Sequence, residues 1–149
     1  MAGLSFCNRW SVKLRSSSSL LVVRGKLRLM SDDTGLAAKL SIVVPLYNEE
    51  QNIEPLLQHV HEVLAQYAHD WELILVDDGS SDNTLSRARE LAAHYGTHVR
   101  VVGLQRNFGQ TAAMQAGIDF ARGELVATMD GDLQNDPRDI PRLLAKLEE

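Results

Sequence analysis

Leu40-Ser41-Ile42-Val43-Val44-Pro45-Leu46 is an apolar run of strand length, and Ile53, Leu56, Leu57, Val60, Leu64 and Tyr67 follow it at helical spacing. That switch from a continuous apolar run to a 3.6-residue period marks a strand followed by an amphipathic helix. The switch recurs three times. Residues 71–76 form a second apolar run, followed by Leu85, Ala88, Leu91, Ala92 and Tyr95, with Gly96 suited to the helix C′ position. Residues 99–104 form a third, followed by Ala113, Ala116, Gly117 and Phe120, with Gly123 as the expected stop. Residues 125–129 form a fourth, and Pro137 is placed to start a helix carrying Ile140, Leu143, Leu144 and Leu147. Strands that are apolar throughout belong to a sheet covered on both faces. Four strand–helix units in succession therefore predict an α/β fold, a three-layer α/β/α sandwich with a mostly parallel sheet and right-handed crossovers.

The chain before Leu40 reads differently. Residues 1–29 hold six basic residues and no acid, with a serine run at 16–19 and a short apolar patch at 20–23. A basic, serine-rich, acid-free start fits a transit peptide; upstream translation with Met30 as the natural start is the plainer and favoured alternative. Residues 1–39 are thus expected to be a disordered extension and lead-in outside the fold. The rest of the chain holds nine basic residues against all 20 acidic ones, a balance of −11. Such a body is a poor partner for nucleic acid. If it takes an anionic ligand, a divalent metal is the natural source of positive charge. The single cysteine, Cys7, excludes an internal disulfide framework and a cysteine-based zinc site. No apolar run is long enough for a transmembrane helix.

In open parallel sheets, ligands bind beyond the carboxyl ends of the strands. The residues after the four expected strands are Tyr47-Asn48-Glu49-Glu50, Asp77-Asp78-Gly79-Ser80-Ser81-Asp82, Gln105-Arg106-Asn107-Phe108-Gly109-Gln110 and Asp130-Gly131-Asp132-Leu133-Gln134. Acidic and polar groups gather at this one edge. The first loop has neither Gly-x-Gly-x-x-Gly nor Gly-Lys-Ser/Thr, which removes the main support for a dehydrogenase or a nucleoside triphosphatase. Asp130 and Asp132 on an extended segment point the same way. They suit Mg2+ or Mn2+, with Gln134 adding a neutral oxygen and Gly131 allowing close approach to the backbone; a solvated turn is the plain alternative. Asp77-Asp78 either offers one carboxylate to a ligand or belongs to the turn chemistry in which Ser80, Ser81 or Asp82 caps the next helix. Arg106 either meets a phosphate, balances the aspartates or forms a structural ion pair. The five histidines read as surface or packing residues.

Together VVPLYNEE (43–50), LVDDGSSDNT (75–84), RNFGQTAAMQAGIDFARG (106–123) and MDGDLQNDP (129–137) resemble glycosyltransferase family 2, over about residues 40–149. Within it, the likeness is to the dolichol-phosphate mannosyltransferases and bacterial polyprenyl-phosphate glycosyltransferases. The resemblance implies a GT-A, nucleotide-diphospho-sugar transferase fold. It implies that Pro45, Tyr47 and Glu49 line a nucleotide pocket and that Val76 and Asp78 contact base and ribose. Asp130, Gly131 and Asp132 would hold the sugar diphosphate through Mg2+ or Mn2+, with Gln134 nearby. The implied donor is GDP-mannose or a UDP-sugar and the acceptor a polyisoprenyl phosphate at the cytoplasmic face of a membrane, with inversion at the anomeric carbon. No catalytic base is assigned, and an acceptor phosphate, already an anion, has little need of one. Members of the family continue well past the fourth helix, so this chain is expected to be the donor-binding part of an enzyme, lacking the acceptor part and the membrane-contacting regions and inactive alone. The competing readings are a non-catalytic nucleotide-sugar-binding module and a metal-dependent phosphoryl-transfer domain.

Overall fold

The computed structural model describes residues 10–15, 20–25, 40–67 and 70–148. In chain order the elements are β1 (Trp10–Arg15), β2 (Leu21–Gly25), β3 (Leu40–Leu46), α1 (Ile53–Leu64), β4 (Trp71–Asp77), α2 (Thr84–Tyr95), β5 (Val99–Gly103), α3 (Gln110–Phe120), β6 (Leu125–Thr128) and α4 (Asp139–Glu148). They build one sheet of order β1-β2-β6-β3-β4-β5. The four strands read from the sequence, β3 to β6, pair in parallel, and β2 joins β6 antiparallel.

Side chains alternate across the sheet and create two apolar layers. Ile42, Val44, Leu73, Leu75 and Ala127 face α1, α2 and α4, where Leu56, Leu57, Val60, Ala88, Leu91, Ile140 and Leu143 cover them. Val43, Ile74, Val76 and Val126 face the other way and meet Ala113 of α3. This is the expected three-layer arrangement, with α3 packed against β3 and β4. At Gly117 an added Cβ would lie 2.3 Å from Val43 Cγ1 and 2.9 Å from Val76 Cγ2, so α3 sits closer to the sheet than any larger side chain allows.

Pro45 lies inside a central strand, where a missing N–H is normally costly. Met129 N donates to Val43 O, and Asp78 N donates to Leu46 O. Val43 therefore faces β6, Leu46 faces β4, and by alternation Pro45 faces the β6 side. Pairing with β6 has already ended at Val43↔Thr128, so Pro45 forfeits no ladder bond. At this end the sheet opens into a cleft.

Three expectations change. The extension before Leu40 is not wholly outside the fold: β1 and β2 form an antiparallel pair on the outer edge of β6, and Leu20 is fully buried in the larger apolar cluster. The physical reason is that the edge of β6 carries backbone donors and acceptors that another strand can satisfy. The other residues of 1–39 lie outside the described residues. The fourth helix begins at Asp139, after a turn in which Asp139 N and Ile140 N donate to Asp136 O and Pro137 O. Gly123 does not stop α3, which ends at Phe120; an added Cβ there would lie 2.6 Å from Ser41 N, so close approach to β3 explains this glycine.

At the opposite end of the strands from that cleft, His61 and His98 pack among Trp71 and Tyr95. His61 Nδ1 lies 2.8 Å from Leu57 O, which assigns the ring proton to Nδ1, and its Nε2 then accepts from His98 Nε2 at 2.7 Å. His69 lies outside the described residues. Burial first, and repulsion from His61 second, push the His98 pKa below its ordinary 6.5. The fold thus favours neutral His98. Its contribution is complete above pH 6.5 and lost as the pH falls through the depressed value. Urea melts should show stability declining from pH 7 to pH 5, and His98→Asn should flatten that decline. An equally steep decline in the variant would assign it to other groups.

Candidate functional site

Four loops meet beyond the carboxyl ends of the parallel strands. They enclose a cavity of about 340 Å3, lined by Pro45, Leu46, Tyr47, Glu49, Asp78, Asn107, Gly109, Gln110, Asp130, Gly131 and Asp132. Asp78 and Asp132, which follow different strands, face the same cavity.

The β3–α1 and β4–α2 loops are stitched together. Asn48 takes a left-handed backbone, φ 51°, which asparagine tolerates. Its Oδ1 accepts from Ser81 N at 2.9 Å, and its N–H donates to Ser80 Oγ. Glu49 N donates to Thr84 Oγ1, while the Glu49 carboxylate accepts from Asn52 Nδ2 at 2.5 Å. Glu50 accepts from Asn83 N, and Asp82 accepts from Thr84 N and Thr84 Oγ1. The N-cap of α2 is Asn83, whose side chain makes no capping bond; of the caps expected, Asp82 bonds the first helical N–H from one residue before the cap, while Ser80 and Ser81 are engaged by Asn48. Burial pulls the Asp82 carboxyl upward, but the bonds from the Thr84 hydroxyl and N–H outweigh it and hold the pKa below 3.8.

The adjacent Asp77 and Asp78 avoid repulsion by pointing to opposite faces of the sheet. Asp77 Oδ2 accepts from Ser80 N, and its buried Oδ1 has no hydrogen-bond partner among the described residues. Asp78 is 3% exposed; its Oδ1 accepts from Phe108 N at 2.8 Å and its Oδ2 from Gly109 N at 3.0 Å. The turn between them and α2 needs Gly79: its φ is +65°, and an added Cβ would lie 2.2 Å from Arg106 C. The β4–α2 turn therefore seats directly on the backbone of the β5–α3 loop.

That loop delivers Asn107, Gly109 and Gln110 to the cavity, with the N-terminus of α3 bordering it. Arg106 is not among the lining residues; its guanidinium lies 4.5 Å from the Phe108 ring centroid. In the β6–α4 loop, Asp130 N donates to Asn135 Oδ1 at 2.7 Å, and Gln110 Nε2 donates to Asp130 Oδ1 at 2.7 Å. Asp132 Oδ1 accepts from Gln134 N. Gly131 is required for packing: an added Cβ would lie 2.6 Å from Leu46 Cδ2 and 3.2 Å from Pro45 O. Asp136 is paired with Arg138, whose side-chain and backbone hydrogen bonds lower its pKa to about 2.

Seven of the expected donor-site residues thus converge on one cavity: Pro45, Tyr47, Glu49, Asp78, Asp130, Gly131 and Asp132. Val76 does not. Its side chain is fully buried against α3, because alternation along β4 sends it into the core. Gln134 is exposed and outside the lining. Asn107 and the buried Asn135 were not anticipated. Asn107 carried the same signal as the others, a polar residue just past a strand end; Asn135 carried none, because its part is a hydrogen bond that closes the β6–α4 loop on Asp130 N.

The family described as glycosyl transferase family 2 matches residues 41–149. This chain belongs to glycosyl transferase family 2. It is 58% identical over 118 residues to dodecaprenyl-phosphate galacturonate synthase of Rhizobium johnstonii, covering 79% of this chain and 35% of that protein. It is 48% identical over 111 residues to undecaprenyl-phosphate 4-deoxy-4-formamido-L-arabinose transferase of Proteus mirabilis, covering 74% of this chain and 34% of that one. A mannosyltransferase from Pyrobaculum calidifontis, solved in complex with GDP-Man and Mn2+, superposes with a TM-score of 0.60 at 26% identity, covering 74% of this chain and 32% of that one. The family 2 chain described here therefore spans about a third of the length of these relatives. The GT-A fold is the one expected from its sequence.

Proposed function

We propose that residues 40–149 form the nucleotide-sugar-binding part of a metal-dependent, inverting glycosyltransferase whose acceptor is a polyisoprenyl phosphate. The observation that carries this reading is the charge of the cavity wall. Glu49, Asp78, Asp130 and Asp132 line it, and among the described residues no lysine, arginine or histidine does. A nucleoside diphosphate is an anion, so such a wall accepts it only together with a cation.

The donor set fits Mg2+ or Mn2+. No group of three or more His, Cys, Asp or Glu side chains able to hold a metal occurs among the described residues. Two carboxylates, Asp130 and Asp132, with phosphate oxygens completing the shell, are what a hard cation of this kind takes. Gln134 is the neutral oxygen we assign beside them. The bound cation supplies Lewis-acid stabilisation of the charge that develops on the leaving nucleoside diphosphate. The chain's own residues do the holding. Tyr47, 47% exposed at the rim, offers a ring face to the base. Gly109 and Gln110 place the positive end of the α3 dipole beside the diphosphate. Pro45 and Leu46 close the floor.

The acceptor assignment rests on the two relatives, both named for polyprenyl-phosphate products or substrates. An acceptor phosphate already carries the attacking negative charge, which agrees with a site that shows no dedicated base. We place acceptor binding, and contact with the cytoplasmic face of a membrane, in the portion of the relatives that this chain does not match. Among the described residues no helix is long and apolar enough to cross a membrane.

Calorimetric titration of the full chain with GDP and with UDP tests the reading. Mn2+ should tighten binding of one of them by at least about tenfold, worth about 1.4 kcal/mol. Asp132→Ala should remove most of that gain. Equal affinity with and without Mn2+ for both nucleotides would overturn it.

A further inference from the structure

We propose that Gln110 is a positioning residue of the cation site, holding the Asp130 carboxylate in place beside Asp132; the inference rests on the donor-site reading above. Asp130 is fixed from two directions. Its backbone N–H is held by Asn135, itself 4% exposed and part of the same loop. Its carboxylate is held by Gln110, the first residue of α3, from a different element and across the cavity. Gln110 is in turn set by its neighbour Gly109, whose φ is +98° and whose N–H is bound by Asp78. A chain of contacts thus runs from the end of β4 through the start of α3 to the end of β6.

The side-chain type matters as much as the place. Two carboxylates that share a cation must stay charged and stay aligned. A carboxamide donates a hydrogen bond that orients Asp130 without cancelling its charge. A lysine or arginine at the same place would pair with Asp130 and compete with the cation. Partners that orient metal ligands from outside the coordination shell typically contribute about 10–100-fold to metal affinity.

The test is Mn2+ binding by the full chain, followed through loss of the free Mn2+ electron paramagnetic resonance signal, alone and with GDP or UDP. Gln110→Ala and Gln110→Met, the second keeping length while removing the donor, should each weaken Mn2+ binding by about tenfold or more. Gln115→Ala, which removes a bond to Asp119 along the same helix, should leave it unchanged. Gln110→Lys should weaken Mn2+ binding more than Gln110→Ala and strengthen metal-free nucleotide binding, an opposite pair of shifts that a merely structural defect would not give. Mn2+ affinity within twofold of wild type in both Gln110→Ala and Gln110→Met would overturn the inference while leaving the donor-site reading intact. A wild-type chain that binds no Mn2+ with either nucleotide would instead overturn that reading, and this inference with it.

Discussion

Glu72→Ala is expected to lower the free energy of unfolding by about 3–5 kcal/mol, the range for removing one partner of a buried charged pair. Glu72 is 4% exposed, at the start of β4 and remote from the cavity. Its Oε1 accepts from Ser41 Oγ at 2.7 Å and from Arg122 N at 2.7 Å, and its Oε2 accepts from Arg100 Nη1 at 3.0 Å. Ser41 Oγ accepts from Gly123 N, and Arg100 Nη1 also donates to Phe120 O. One carboxylate therefore fastens the α3–β6 connection to β3, β4 and β5. Alanine would leave the half-buried Arg100 guanidinium with Phe120 O alone and would strip the part-buried Arg122 N–H of its acceptor. Glu72→Gln should cost less, about 1–3 kcal/mol, since its carbonyl can keep Ser41 and Arg122 while its amide faces Arg100. Against a domain stability of about 5–15 kcal/mol the alanine variant sits near the threshold of folding. Urea melts decide it. A loss below about 1 kcal/mol for Glu72→Ala would show that water or a shifted Arg100 replaces the network.

That network was not legible in the sequence, where only the carboxyl ends of the strands gathered polar residues. Ser41 and Glu72 each interrupt an apolar run by one polar residue, and only the parallel register, Ser41↔Glu72, shows that they meet. The carboxyl-end loops were legible for the opposite reason. Their residues lie immediately after strands whose apolar runs fix where the chain leaves the sheet, so Asp78, Asp130 and Asp132 had to share an edge. Val76 lies two residues before Asp78 and so shares its face, but it is still inside the strand, where α3 covers that face and keeps its side chain out of the cavity. The N-terminal strands were missed because charge and serine content dominated the reading of residues 1–29. Yet Trp10, Val12 and Leu14 alternate with Ser11, Lys13 and Arg15, a period-two signal of the kind strands carry. Which edge such a strand would join is tertiary information, fixed by the open side of β6.

Asp78→Asn is expected to destabilise the chain by about 2–4 kcal/mol before any ligand is added, because two charge-assisted hydrogen bonds of about 1.5–3 kcal/mol each depend on the carboxylate. The two oxygens serve two different amides, Phe108 N and Gly109 N. An asparagine can satisfy one of them with its carbonyl, but its NH2 then faces the other N–H. The conservative change should therefore approach Asp78→Ala in cost, the lower end of the range reflecting water that can reach a loop bordering the cavity. The consequence for the site follows from position. Gly109 and Gln110 enter the cavity only while this loop is held, so nucleotide binding should weaken together with stability. Hydrogen exchange separates this from a role limited to ligand contact. If Asp78 anchors the loop, the Phe108 and Gly109 amides of the unliganded variant lose protection. If it only touches the base or ribose, the apo protein keeps both its protection and its stability, and the variant differs from wild type in nucleotide affinity alone.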